Sequence, residues 1–159
     1  MVGQDGLARL SGVHADAWFG LLHVYRHLTR ELDAELERSH DLSLSGLELL
    51  GRLAAATDRR LRLSQLAGQC GLSLSRVSRI VDAFERRGLV ERHACPADAR
   101  ATEAWLTPAG LDLTVDAQAR HVADVQRRFF DALDERQLRA LARAFARLTP
   151  SRAAAGRQR

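Results

Sequence analysis

Leu63-Ser-Gln-Leu-Ala-Gly-Gln-Cys-Gly-Leu-Ser-Leu-Ser-Arg-Val-Ser-Arg-Ile-Val-Asp-Ala-Phe-Glu-Arg-Arg-Gly88 is the stretch that decides the fold. Its opening residues form a short amphipathic run that stops at Gly71, just past a helix end, where a left-handed residue is favoured. Ser73 then offers a side-chain oxygen to the free amides of a second helix. In that helix Leu74, Val77, Ile80, Val81 and Phe84 recur at steps of one, three and four and make one buried stripe. Ser75, Arg76, Ser78, Arg79 and Asp82 take the outward side, and Gly88 closes the helix. A short helix, a glycine turn and a second helix with a hydroxyl-rich, basic outer side spell a helix-turn-helix.

The flanks extend this unit. Downstream, Leu89–Cys95 and Ala101–Leu106 read as two strands joined by the Pro96–Arg100 turn, a hairpin wing. Upstream, Arg60–Leu63 alternates like a short strand, and Ser64 reads as the cap of the short helix. Before it lies a helix carrying Leu47, Leu49, Leu50 and Leu53, with Ser43 and Ser45 both eligible as its cap. Residues 42–107 therefore predict a winged helix-turn-helix domain.

Long helices surround that domain. Val13, Ala17, Leu21, Val24, Leu28, Leu32 and Leu36 lie on one stripe, widened by Trp18, Leu22 and Tyr25. Thr107-Pro108 pairs a cap with a proline in the first helical position and starts a helix expected to reach about Asp131. Asp134-Glu-Arg-Gln137 is a capping box that opens a last helix with Leu138, Leu141, Phe145 and Leu148, which Pro150 ends. The fold class is thus mainly α with a small β-hairpin wing. The stripes are too extensive for a winged domain to cover, so 13–38 and 108–148 are expected to form a helical dimerisation region. Residues 1–12 are expected to be a flexible arm and 149–159 a disordered tail.

Composition narrows the classes of function. All 24 basic residues are arginine, against 20 acids, giving a net charge of +4. Residues 1–40 are acidic on balance and 108–159 basic, which permits nucleic-acid binding without requiring it. No apolar run approaches the roughly 20 residues that span a bilayer. With two cysteines, Cys70 and Cys95, and no leader-like start, a reduced cytoplasmic setting is expected. There is no Gly-rich phosphate loop, nucleophile elbow or His-Glu-x-x-His, so neither enzyme activity nor a cofactor is expected.

The stretch from Leu42 to Gly110 resembles the MarR family of winged helix-turn-helix transcriptional regulators. The residues that carry the resemblance are Leu63-Ser-Gln-Leu-Ala67, Leu72-Ser-Leu-Ser-Arg-Val-Ser-Arg-Ile-Val81, Glu85-Arg-Arg-Gly-Leu-Val90, Asp98-Ala-Arg100 and Leu106-Thr-Pro-Ala-Gly110. The resemblance implies a homodimer, built by the first and last helices, that binds double-stranded DNA. It puts Ser73, Ser75, Arg76, Ser78 and Arg79 at the DNA through the recognition helix. Asp98 and Arg100 take wing positions in which the acid orients an arginine inserted into the minor groove. The function implied is a repressor on pseudo-palindromic operators, released by a ligand.

Three signals are open to that ligand. His14, Trp18, Tyr25 and His121 are candidates to line a cleft for a small aromatic or anionic effector. His23, His27 and Glu31 share one helical face and permit a zinc-responsive alternative, completed by His14, His40 or His121 across a dimer. Cys70 and Cys95 read as small buried hydrophobes more readily than as redox switches. A protein-interaction module with the same fold and no DNA binding is the remaining rival.

Overall fold

The computed structural model describes residues 10–95 and 98–148, apart from the side chains of residues 98–100. The expected tail, Pro150 included, and all of the expected arm but residues 10–12 lie outside the described residues. In chain order the elements are α1 (Val13–His40), α2 (Leu44–Ala55), β1 (Arg60–Arg62), α3 (Leu63–Cys70), α4 (Leu74–Arg86), β2 (Val90–Cys95), β3 (Asp98–Leu106), α5 (Pro108–Arg128) and α6 (Glu135–Leu148).

Side-chain caps start four of the helices. Ser43, rather than Ser45, accepts from the Gly46 amide at 3.1 Å and opens α2. Ser73 accepts from the Arg76 amide at 3.3 Å, and Thr107 from the Gly110 amide at 3.0 Å. At α6 the capping box is reciprocal: Gln137 N–H donates to Asp134 and Asp134 N–H to Gln137, both at 2.8 Å. Each bond satisfies an amide that the helix itself leaves without an acceptor. The start of α3 departs from expectation. Ser64 lies inside the first turn, and the Gln65 side chain accepts from Arg62 N–H at 3.0 Å instead. Gly71 has φ +63°, as the turn between α3 and α4 requires.

The strands form one antiparallel sheet in the order β1-β3-β2. Arg60 stands opposite Trp105 and Val90 opposite Leu106, with a register shift between Ala94 and Cys95. The Arg60 guanidinium lies over the Trp105 ring at 5.0 Å, a cation–π contact that fastens the short edge strand. The core lies between this sheet and α2, α3 and α4. Leu49, Leu50, Leu53, Leu66, Val77 and Val81 are wholly buried there.

The chain divides into two compact units, Met1–His121 and Val122–Arg159, with α5 running through the boundary. In the first unit, α1 is joined to α5 by polar contacts at the side chains of Glu35 and His40. The Glu35 carboxylate accepts from Arg120 at 2.7 Å and from Arg38 at 2.5 Å. His40 Nε2 meets Asp116 at 3.0 Å. In the second unit, α5 ends at Arg128 rather than near Asp131. Gln126 reaches forward to the Asp131 carboxylate at 2.7 Å, and Phe129 packs edge-on against Phe130. Both contacts favour the tight 3-10 turn Phe130–Ala132 over another α-helical turn. Among the described residues no helix is long and apolar enough to cross a membrane.

Candidate nucleic-acid interface and ligand cavity

α4 separates its two sides sharply. Val77 and Val81 are wholly buried and Phe84 nearly so, which leaves the opposite side free to meet a partner. Ser73, Ser75, Arg76 and Arg79 are all exposed there. The Ser73 and Ser75 hydroxyls lie 3.3 Å apart, and Arg76 donates to Ser45 Oγ at 3.2 Å. Four short or basic polar groups thus share a surface without a buried charge among them.

Two outward-facing expectations need revision. Ser78 is half-buried, and both its carbonyl and its hydroxyl accept from Arg92 of β2, at 2.9 and 3.1 Å. Asp82 is also turned to the wing, with its carboxylate 2.7 Å from the same Arg92. Arg92 lies a further 3.8 Å from Glu85, so one guanidinium fastens the hairpin to α4. Leu74 departs in the other direction. Periodicity puts it on the buried stripe, yet it is 54% exposed. The stripe gives a direction, and at the first turn of α4 the domain no longer extends far enough to cover it.

The wing residues Asp98 and Arg100 open β3. Their side chains lie outside the described residues. At the far end of α4, Arg87 donates to the Asp41 carbonyl at 2.5 Å and the His40 carbonyl at 3.0 Å, with the Asp41 carboxylate 3.4 Å away. A cation on the last carbonyls of α1 satisfies groups the helix leaves free and complements its dipole. Sequence reading missed Arg87 and Arg92 as connectors, since their partners lie 46 and 14 residues away.

The candidate ligand residues separate into two pairs. Tyr25 and His121 line a cavity of about 590 Å³ with Thr29, Leu47, Glu48 and Gln118, between α1, α2 and α5. His121 Nδ1 is buried and has no hydrogen-bond partner. His14 and Trp18 are not at this cavity; both are exposed farther toward the start of α1. Trp18 is seven residues before Tyr25, which at helical rise is about 10 Å along the axis.

Among the described residues of the single chain, the metal alternative finds no assembled site. The His23 and His27 rings stack 6.3 Å apart, and Arg30 lies 3.4 Å from His27 Nδ1. Among the described residues no group of three or more His, Cys, Asp or Glu could hold a metal ion. Burial pushes the Cys70 thiol above its usual pKa, helped by the Glu48 charge, which disfavours the reactive thiolate. Cys95 is buried.

Comparison with known proteins agrees with this fold. The model of the MarR family matches residues 42–102. AbsC, a MarR family transcriptional regulator from Streptomyces coelicolor, is 33% identical with a TM-score of 0.78, covering 87% of this chain and 93% of its own. A second MarR family regulator from that organism, solved in complex with DNA, is 29% identical with a TM-score of 0.80, covering 89% and 91%. CouR from Rhodococcus jostii RHA1, solved bound to p-coumaroyl-CoA, is 25% identical with a TM-score of 0.67, covering 86% and 93%. No curated protein matches.

Proposed function

Because this chain belongs to the MarR family of transcriptional regulators, we propose that it is a homodimeric repressor that binds pseudo-palindromic double-stranded DNA and releases it on binding a small ligand. The observation that carries the DNA reading is the outer side of α4, where Ser73, Ser75, Arg76 and Arg79 are exposed beside a hairpin wing. Hydroxyls suit close approach to base edges, and arginines reach guanine or phosphate. Asp98 and Arg100 complete the site, with the arginine in the adjacent minor groove.

Dimerisation through 13–38 and 108–148 is supported by apolar surface that one chain leaves uncovered. Trp18, Phe19, Leu21, Val24 and Tyr25 on α1 are exposed, as are Val115 and Val122 on α5. An obligate interface over such helices buries more than about 2,000 Å². Two-fold symmetry would then set the recognition helices about 34 Å apart, for successive major grooves.

The cavity at Tyr25 and His121 supports an effector that is apolar in its body and polar at one end, such as an aromatic acid. Tyr25, Arg52 and His121, all of which line the cavity, are the groups that would meet the polar end. A ligand wedged against α1, α2 and α5 shifts the population away from the DNA-binding arrangement only through its differential affinity for the two.

The test is selection of duplexes from a random pool, followed by gel shift and sedimentation. A dimer that shifts selected duplexes with inverted half-sites bears the reading out. A protein that retains no duplex, while folded, leaves the interaction-module rival standing.

A further inference from the structure

Leu74 points along the stripe side of α4, yet at the first turn of the helix nothing among the described residues covers it. It opens α4 between two exposed serines and two residues before Arg76, and more than half of it is in solvent. Beside it lies a cleft of about 310 Å³ lined by Leu63, Ser64, Leu74, Ser78, Ala101 and Thr102. Among the described residues, none that lines it carries a charge, although basic Arg76 and Arg79 stand on the same helix. This is a notch at the first turn of α4, where three elements meet: α3, α4 and β3.

We propose that Leu74 is a specificity-determining residue that reads the 5-methyl group of thymine, with the notch receiving that methyl. This rests on the DNA-binding reading of α4. The argument is one of complementarity. The arginines bring an anionic duplex to this end of α4, and the edges exposed in its major groove are otherwise hydrogen-bond donors and acceptors. The thymine methyl is the apolar group among them. An exposed leucine at the tip of the helix gains nothing from a cytosine or guanine edge. Against a thymine it removes apolar surface on both sides from water.

The experiment uses the full chain and a duplex it selects from a random pool. Each half-site thymine is replaced in turn, symmetrically, by deoxyuridine, which deletes the methyl and leaves base pairing alone. For the unmodified protein, deoxyuridine at one thymine position is expected to weaken binding about fourfold per half-site, the factor that one buried methyl carries. Leu74→Ala should lose that sensitivity and Leu74→Met should keep it, with circular dichroism showing both folded. Three results overturn the proposal with DNA binding intact: no deoxyuridine position matters, the selected half-sites lack thymine, or Leu74→Ala remains equally sensitive. If Leu74→Ala dissociates a dimer while methyl sensitivity persists, Leu74 serves a contact between two copies and the proposal falls. Failure to select any duplex would instead overturn the DNA-binding reading itself.

Discussion

Replacing Gly110 by alanine probes the joint between the wing and α5. Gly110 is buried in the first turn of α5, and a Cβ built there would lie 2.1 Å from the Leu89 carbonyl oxygen and 2.8 Å from Leu106 Cδ1. Carbon and carbonyl oxygen ordinarily meet at about 3.3 Å, so backbone must retreat by roughly 1 Å. That same carbonyl already accepts from Thr107 N–H at 3.1 Å, a bond the retreat strains. Overpacking costs about 1–3 kcal/mol and a weakened hydrogen bond about 1 kcal/mol. The helix propensity gained from alanine returns up to about 1 kcal/mol. The balance is a loss of about 1–3 kcal/mol, or roughly 2–12 °C in Tm for a chain of this size. Gly68, exposed within α3 with nothing within 4 Å of its Cβ position, is the control. Gly68→Ala should be neutral or stabilising by up to about 1 kcal/mol. Calorimetry at fixed protein concentration measures both. A Gly110→Ala protein as stable as the parent would refute the close approach of α5 to Leu89.

Acid stability should depend on Glu35. The hydrogen bond from Arg120, then that from Arg38, holds its carboxyl below the usual value of 4.5. Its contribution is therefore present above that value and lost as pH falls through the lower, folded one. Urea unfolding from pH 7 to pH 3 should show a steeper loss for the parent than for Glu35→Gln, and equal slopes would remove Glu35 from the account. Arg79→Ala should cost about 1–3 kcal/mol in binding a selected duplex if it meets a base, and a change in the salt slope marks a phosphate contact instead. Arg100→Ala should weaken the same complex; fluorescence anisotropy unchanged in both variants would void the site assignment. Tyr25→Ala and His121→Ala should blunt the thermal upshift given by an aromatic acid such as salicylate, whereas Trp18→Ala should leave cavity binding intact; the reverse pattern would relocate the effector site.

What was legible in the chain was local. Ser73, Thr107 and the Asp134–Gln137 pair declare helix starts through bonds that span three residues, so their spacing alone carries the message. Ser64 misled because Gln65 offers its own acceptor to Arg62 N–H, one residue away from the expected cap. Leu74 misled because periodicity reports which way a side chain points and not whether anything lies there. Arg87 and Arg92 stayed hidden among 24 arginines, since a guanidinium's partner is chosen by the fold. Trp18 shares a helical side with Tyr25 but not its height along the axis, so the aromatic pairing read from the sequence dissolves in three dimensions.

Arg92 has a consequence for the DNA this chain would recognise. One guanidinium grips Ser78 and Asp82 of α4 from β2, so helix and hairpin cannot slide past each other without giving up several bonds at once. On the DNA-binding reading, the distance between the base pairs read in the wide groove and those touched in the narrow one is then fixed by the protein. Operators that diverge over time could tolerate letter changes within a half-site, each at its own cost. An inserted or deleted base pair inside a half-site would put one of the two readers out of step entirely. Between half-sites the spacing would be set instead by how two copies pair, on the dimer reading.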